Sequence, residues 1–272
     1  LILKLKNKLI RYDNISDKKV YPLIAIPTTA GAGAEATSNA VIYINKIKYS
    51  VENKLLIPNY FFLFTKLVIS NPYKIKTSAG FDAIAQAIES LISMKSNKAS
   101  VSFAKKSLIL SSKNYLSFIK KPNKENSKNM LIASNLAGKA INISKTTAPH
   151  ALSYPFTTLF GISHGHAVSL TLEKFLMFNY KKKNFSKSTF DIDNRYKIIF
   201  NNFQVNNINE LYNKIKFIKK EANLEDSYQK LNINIYSSLD KILSQINILR
   251  LKNNPIDLKK SDLRNLLRND FK

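Results

Sequence analysis

Apolar positions along this chain follow two different periods. Before about residue 74 the apolar runs are short and rich in β-branched residues. "YPLIAIPTTAGAGAEAT" (21–37) reads as a short buried strand followed by a Pro/Thr/Gly turn. "NAVIYI" (39–44) reads as a second strand, bounded by asparagine and lysine. From about residue 77 the period becomes helical. "SAGFDAIAQAIESLISM" sets Phe81, Ile84, Ala85, Ile88, Leu91 and Ile92 on one helical face, with Thr77 or Ser78 as the predicted N-cap. Helices are also predicted over 99–119, 128–143 and 164–180 and in several segments after 191, with "KKPNKENSK" (120–128) as a solvated loop. The pattern predicts α/β plus all-α architecture: an incomplete α/β unit over 1–74 and an all-helical unit over 75–272. An incomplete α/β unit should leave strand edges and apolar surface uncovered, and so be poorly soluble alone.

Composition changes this picture in two places. The 272 residues carry a formal charge of +25, which on its face suggests a nucleic-acid partner. Nearly all of that charge is lysine travelling with asparagine and isoleucine, and arginine occurs only at 11, 195, 250, 264 and 268. Charge spread so evenly does not describe a nucleic-acid groove, so no specific nucleic acid is expected. With no cysteine there is neither a disulfide framework nor thiol chemistry. "YFFLFTKLVI" is too short and too interrupted to span a bilayer, so no membrane partner is expected. No signal peptide is visible, which points to the cytoplasm.

Rare residues carry the candidate chemistry. All three histidines, His150, His164 and His166, fall inside "KTTAPHALSYPFTTLFGISHGHAV", and the six glycines all lie in the motifs discussed here. Asp82, Gln86 and Glu89 stand at i, i+4 and i+7, which makes one polar stripe on the helix after Gly80. A solvated stripe would be the ordinary explanation, but residues 79–94 contain no lysine in a chain full of it. A buried carboxylate needs a partner, and a cation would serve. Aspartate oxygen with two imidazole nitrogens suits a divalent first-row metal. In "IPTTAGAGAEAT", the threonines and glycines after a strand can meet a phosphate or an amide, though the spacing differs from the common dinucleotide fingerprint.

As an ordered set, "IPTTAGAGAEAT", "GFDAIAQAIES", "LAGKAINISKTTAPHALSYP" and "GISHGHAVSLTLEKFLMFN" resemble the successive signatures of the iron-containing (group III) alcohol dehydrogenases. The resemblance runs from about residue 20 through "ILRLKNNPIDLKKSDLRNLL". "AINISKTTAPHALSYP…FGISHGHAV" is most similar to the phosphonoacetaldehyde reductase (hydroxyethylphosphonate dehydrogenase) branch. It implies a dehydroquinate synthase-like fold, with a remnant of a Rossmann-like nucleotide-binding domain before an all-helical metal-binding domain. It also implies a divalent metal (Fe2+ or Zn2+) held by Asp82, His150 and His164. Gln86 stands where a third histidine is usual, and Tyr154 where a further one is frequent. Thr28, Thr29 and Lys48 match positions that approach NAD(H) or NADP(H). The glycine-rich "GGGS" loop is missing, and Phe64-Thr65 replaces the usual "D-P", so the chain reads as N-terminally truncated.

The expected reaction is reduction of an aldehyde to an alcohol, with phosphonoacetaldehyde and 2-hydroxyethylphosphonate as the expected pair. The metal would polarise the aldehyde oxygen, and a proton would arrive through water or His166. An anionic substrate would meet Lys139, Lys145, Thr146 and Thr147, which flank the metal-binding loop. The resemblance allows a homodimer. Two alternatives remain at this stage: a sugar-acid oxidoreductase of the same family, and a helical remnant without catalysis.

Overall fold

The computed structural model describes residues 21–44, 47–246 and 248–268, apart from the side chains of 42–44, 47–50 and 249. Every described strand lies before residue 62. Strand β1 (Ile24–Ala25) pairs in parallel with β4 (Tyr60–Phe61), in the register Ile24 to Tyr60 and Ala25 to Phe61. Strands β2 (Asn39–Ile44) and β3 (Ile47–Glu52) form an antiparallel hairpin in which Asn39 faces Glu52 and Ile44 faces Ile47. The hairpin exceeds the prediction, which contained β2 but not β3. Parallel pairs are normally covered on both faces. Here Tyr21, Leu23, Ile24, Ile26, Tyr60 and Phe62 are exposed around β1 and β4, so the strand read as buried is instead uncovered, because no described element packs over it.

Helices follow without further strands among the described residues: α1 (Thr65–Ile69), α2 (Tyr73–Ile92), α3 (Lys98–Lys120), α4 (Lys124–Ser144), α5 (Ala148–Phe160) and α6 (His164–Ser169). Beyond these lie α7 (Leu172–Lys181), α8 (Ile192–Phe203), α9 (Ile208–Glu221), α10 (Ile235–Ser244), α11 (Ile248–Leu251) and α12 (Lys260–Arg268). Helix α2 is the axis of the molecule and packs against α3, α4 and α6. One core gathers Phe81, Ile88, Leu108, Tyr115, Phe118 and Tyr196 around it. A second joins α5 and α7 to α10 and α12 through Leu152, Phe156, Phe175, Leu239 and Leu266.

Four boundaries differ from the sequence reading, each for a local reason. Helix α2 begins at Tyr73 behind Pro72, so Thr77 and Ser78 lie inside it rather than capping it. The loop predicted over 120–128 shrinks to three residues, because Asn123 and Asn126 close a reciprocal capping box that starts α4. The helix predicted over 164–180 breaks at Leu170-Thr171. There the Ser169 carbonyl accepts from the Lys219 ammonium at 3.1 Å, in place of a helical amide. Helix α5 was not foreseen, since Pro155 interrupts its pattern.

Candidate metal centre and cleft

Helix α2 is buried on every side from Gly80 to Ile92, so the stripe of Asp82, Gln86 and Glu89 faces protein rather than water. Each polar group therefore needs a partner. The Gln86 amide donates to Asp82 Oδ2 at 2.9 Å. Glu89, which is fully buried, accepts at Oε1 from the Thr147 amide (2.9 Å) and the Thr147 hydroxyl (2.8 Å). Its Oε2 meets His150 Nδ1. Glu89 thus ties the start of α5 to α2 and fixes a proton on Nδ1, which turns the lone pair of Nε2 the other way.

His150 arrives from the first turn of α5, after a strained connection. Lys145 has φ 60° and ψ 176°, a backbone region that is nearly glycine-only. Asn253 holds that connection in place by donating to the Ser144 carbonyl (2.8 Å) and the Thr146 carbonyl (2.9 Å).

His164 opens α6, and α6 lies directly on the α2 backbone. A Cβ at Gly165 would sit 1.9 Å from the Ser78 carbonyl oxygen, so only glycine permits this approach. Ser153 Oγ donates to the His150 carbonyl at 2.8 Å and lies 3.3 Å from His164 Nδ1. With its proton so placed, Ser153 accepts from His164 Nδ1–H and leaves Nε2 as the ligand atom.

The three ligand atoms converge. Asp82 Oδ1 lies 3.2 Å from His150 Nε2 and 3.8 Å from His164 Nε2, and all three atoms fall within 4.8 Å of one another. Asp82 Oδ1, Gln86 Oε1 and His150 Nε2 are buried and make no hydrogen bond. Buried polar atoms without partners are rare; two of these belong to the converging group and the third to the residue hydrogen-bonded to Asp82, which points to a bound species. Ligands bound at roughly 2.1 Å around one ion stand about 3.4 Å apart; the 3.2 Å pair matches that spacing and His164 lies somewhat farther out. The donor set, one carboxylate, two imidazoles and an amide oxygen, fits a divalent first-row metal.

The metal-ligand group opens into a cleft of about 530 Å3. Ala32, Ala34 and Ala40 line it, as do Lys145, Thr146 and Arg250. The loop of 30–38 is pressed onto α4, where a Cβ at Gly138 would lie 2.3 Å from the Gly33 carbonyl oxygen. Gly33 itself has φ 59°.

Several predicted site residues stand elsewhere. Thr28 and Thr29 follow β1 outside the cleft lining, and the Thr28 carbonyl accepts from Asn71 at 2.7 Å. Lys48 lies on β3 opposite Tyr43, and its side chain is outside the described residues. Lys139 is not in the cleft lining, and its ammonium sits 5.3 Å over the Phe61 ring. Thr147 is spent on Glu89. His166, two residues past His164 and so on the far side of α6, meets the Glu225 carbonyl at 2.7 Å. It cannot deliver a proton to the cleft from there. Burial lowers its pKa.

The model of the Fe-containing alcohol dehydrogenase C-terminal domain matches residues 76–271, and that of iron-containing alcohol dehydrogenase matches 2–65. The chain belongs to the iron-containing alcohol dehydrogenase family. Long-chain-alcohol dehydrogenase 1 of Geobacillus thermodenitrificans is 28% identical over 65% of this chain and 45% of its own length. Phosphonoacetaldehyde reductase of Streptomyces viridochromogenes is 28% identical over 58% of this chain and 41% of its own. The sulfoacetaldehyde reductase of Bifidobacterium kashiwanohense, solved in complex with NAD+, superposes with a TM-score of 0.82 at 28% identity. That likeness covers 92% of this chain and 65% of the other. The matched stretch thus spans less than half of each curated relative.

In this iron-containing alcohol dehydrogenase chain, the electrostatics of the centre follow from its burial. Desolvation pushes Asp82 up, but His164 and His150 outweigh it and hold the carboxyl below its usual range. Burial alone would lower His150, yet the Glu89 and Asp82 carboxylates raise it to about 9. Two neighbours of the site were not assigned roles from the sequence. Glu89 was legible as part of the stripe but not as the partner of His150. Arg250, which donates to Thr146 Oγ1 at 2.5 Å, had only the scarcity of arginine to mark it.

Proposed function

We propose that this chain is the metal- and substrate-binding part of an NAD(P)-linked aldehyde reductase that converts phosphonoacetaldehyde to 2-hydroxyethylphosphonate. Residues 1–74 would belong to the nucleotide-binding unit and 75–272 to the helical metal-binding unit. The observation that carries the reading is the cluster of buried, partnerless donors on Asp82, Gln86 and His150, with His164 beside them. When bound, a divalent cation supplies Lewis-acid polarisation of a carbonyl oxygen, and a reduced nicotinamide supplies hydride. The remaining work falls to the chain's own residues. Asp82, Gln86, His150 and His164 hold the cation, while Glu89 and Ser153 keep both imidazoles in the ligating tautomer. Ala32, Ala34 and Ala40 give the cleft an apolar part for a short carbon chain, and Lys145 and Thr146 line it where a charged tail could rest. Thr28, Thr29 and Lys48 are assigned to the nicotinamide side, carried by the loop and hairpin that border the cleft. Relatives that act on phosphonoacetaldehyde and sulfoacetaldehyde support an anionic substrate.

Titration of the metal-free chain with Zn2+ and Fe2+ tests the centre. One equivalent should bind tightly, and Asp82→Asn or His150→Ala should weaken it by at least about tenfold, as loss of a ligand requires. Equal affinity in wild type and both variants would sink the reading.

A further inference from the structure

We propose that Arg250 is the specificity-determining residue of this cleft: it selects short aldehydes and alcohols that end in an anionic group. The inference rests on the metal-dependent reading above and adds a residue to it. Arg250 reaches the cleft from α11, far from the metal ligands in sequence. Its guanidinium donates to Thr146 Oγ1 and engages the Tyr154 phenol by a hydrogen bond and by its charge. The Tyr154 ring in turn lies parallel to that of His164, with centroids 6.1 Å apart. Arg250 is therefore held one aromatic ring away from a metal ligand. That interval suits a molecule whose carbonyl faces the ligand cluster and whose charge lies a carbon or two away.

The other cations compare poorly. Lys139 is outside the cleft, over Phe61. Lys145 lines the cleft, but its ammonium is already held by the Glu52 carboxylate and donates to the Asn142 carbonyl at 3.0 Å. A guanidinium presents five donors in a planar fork and is the better match for phosphonate, sulfonate or carboxylate oxygens. Charge balance points the same way. Lys145 and Arg250 offset Glu52 and Asp82 in the lining, and Glu89 behind His150 offsets only part of a held dication, so a net positive charge remains in a partly enclosed space. An anionic substrate supplies that compensation, and a neutral one does not.

The test uses the full chain loaded with Co2+, whose visible absorption reports occupancy of the centre. Wild type, Arg250→Met and Arg250→Lys are titrated with 2-hydroxyethylphosphonate, 2-hydroxyethylsulfonate and 1-propanol. In Arg250→Met, the affinity for the two anions should fall about 10- to 100-fold relative to 1-propanol, the size of a charge-assisted hydrogen bond. Arg250→Lys should recover part of the loss, and the anion that suffers more identifies the preferred headgroup. Equal losses on all three ligands, no loss on any, or loss of Co2+ by Arg250→Met would overturn the assignment. Failure of wild type to take up Co2+ would instead sink the metal reading. Methylphosphonate titrated into the metal-free chain still judges Arg250 in that case: binding lost in Arg250→Met upholds it, and binding that is absent or equal in both proteins overturns it.

Discussion

Replacing Glu89 by glutamine should weaken metal binding far more than it weakens the fold. In the native chain Oε1 accepts from the Thr147 amide and hydroxyl, and Oε2 accepts from His150 Nδ1. Glutamine can keep the first pair only by turning its amide nitrogen toward Nδ1. The native ring, its pKa raised to about 9, carries both protons when metal-free and gives up the one on Nε2 to a metal. Against the glutamine NH2, Nδ1 must accept, so the neutral ring's one proton sits on Nε2 and faces Asp82 Oδ1 across 3.2 Å. His150 and Asp82 Oδ1 are satisfied in that arrangement and Gln86 Oε1 is left as it was, so the cost to folding should stay at about 1 kcal/mol, one charge-assisted bond exchanged for a neutral one. The ligating lone pair, however, is gone. To restore it, two N–H groups must face each other in a buried site, at roughly 1–3 kcal/mol for the unsatisfied donors. Turning the amide the other way sets its NH2 against the Thr147 amide and hydroxyl, at similar cost. Metal affinity should therefore fall about 10- to 100-fold, in line with the usual effect of removing a partner that orients a ligand. Competition for Zn2+ against a chromophoric chelator measures this, urea unfolding of the metal-free proteins measures stability, and imidazole 15N shifts report the His150 tautomer. Affinity within threefold of wild type, or a stability loss larger than the affinity loss, would refute the argument.

Three further outcomes follow from other parts of the molecule. Gly165→Ala should force α6 off α2, because its Cβ would lie 1.9 Å from the Ser78 carbonyl. Urea unfolding should show a loss of roughly 1–3 kcal/mol, and metal titration should show a displaced His164. Burial lowers the pKa of the Lys174 ammonium to about 8, so its charged form costs stability below that pH, and the cost is relieved as pH rises toward the unfolded value near 10.5. Stability should climb with pH across 8–10.5 in wild type and less so in Lys174→Met, with a difference of up to about 3 kcal/mol at pH 7; parallel pH profiles of the two proteins would contradict this. Ile24→Lys and Phe62→Lys, both on the uncovered β1–β4 surface, should raise the solubility limit of the chain without lowering its Tm, and a lowered Tm would mean that the surface is packed.

How much of this was legible in the sequence depended on whether the signal was local. The stripe of Asp82, Gln86 and Glu89 could be read because helical spacing and the lysine-free stretch of 79–94 lie within one element. The histidines could be read as ligand types, but their convergence is a property of packing: Gly165 lets α6 touch α2, and Glu89 aims His150. His166 shows the limit of the same reasoning. It shares the motif with His164, yet two residues of helical rotation send it to Glu225. Helix α5 escaped because its apolar pattern is interrupted by Pro155, and β4, the parallel partner of the foreseen β1, because it is only two residues long. Lys139 and Lys145 look equivalent in sequence, and only the fold separates a lysine over Phe61 from one that lines the cleft. In a chain so heavily biased toward lysine, asparagine and isoleucine, common residues say little and scarce ones say more. Scarcity alone is still not enough. Arg195 is as rare a residue as Arg250 but packs over Phe190, and Gly161, at φ 67°, serves only to end α5. What separates Arg250 from the other arginines is a neighbour far away in sequence, Thr146, whose loop also leads to His150. That loop is held in place by Asn253, three residues beyond Arg250. The short segment of 250–254 therefore shapes both the metal-binding loop and the cleft wall, which ties the choice of substrate to the same backbone that positions the metal ligand.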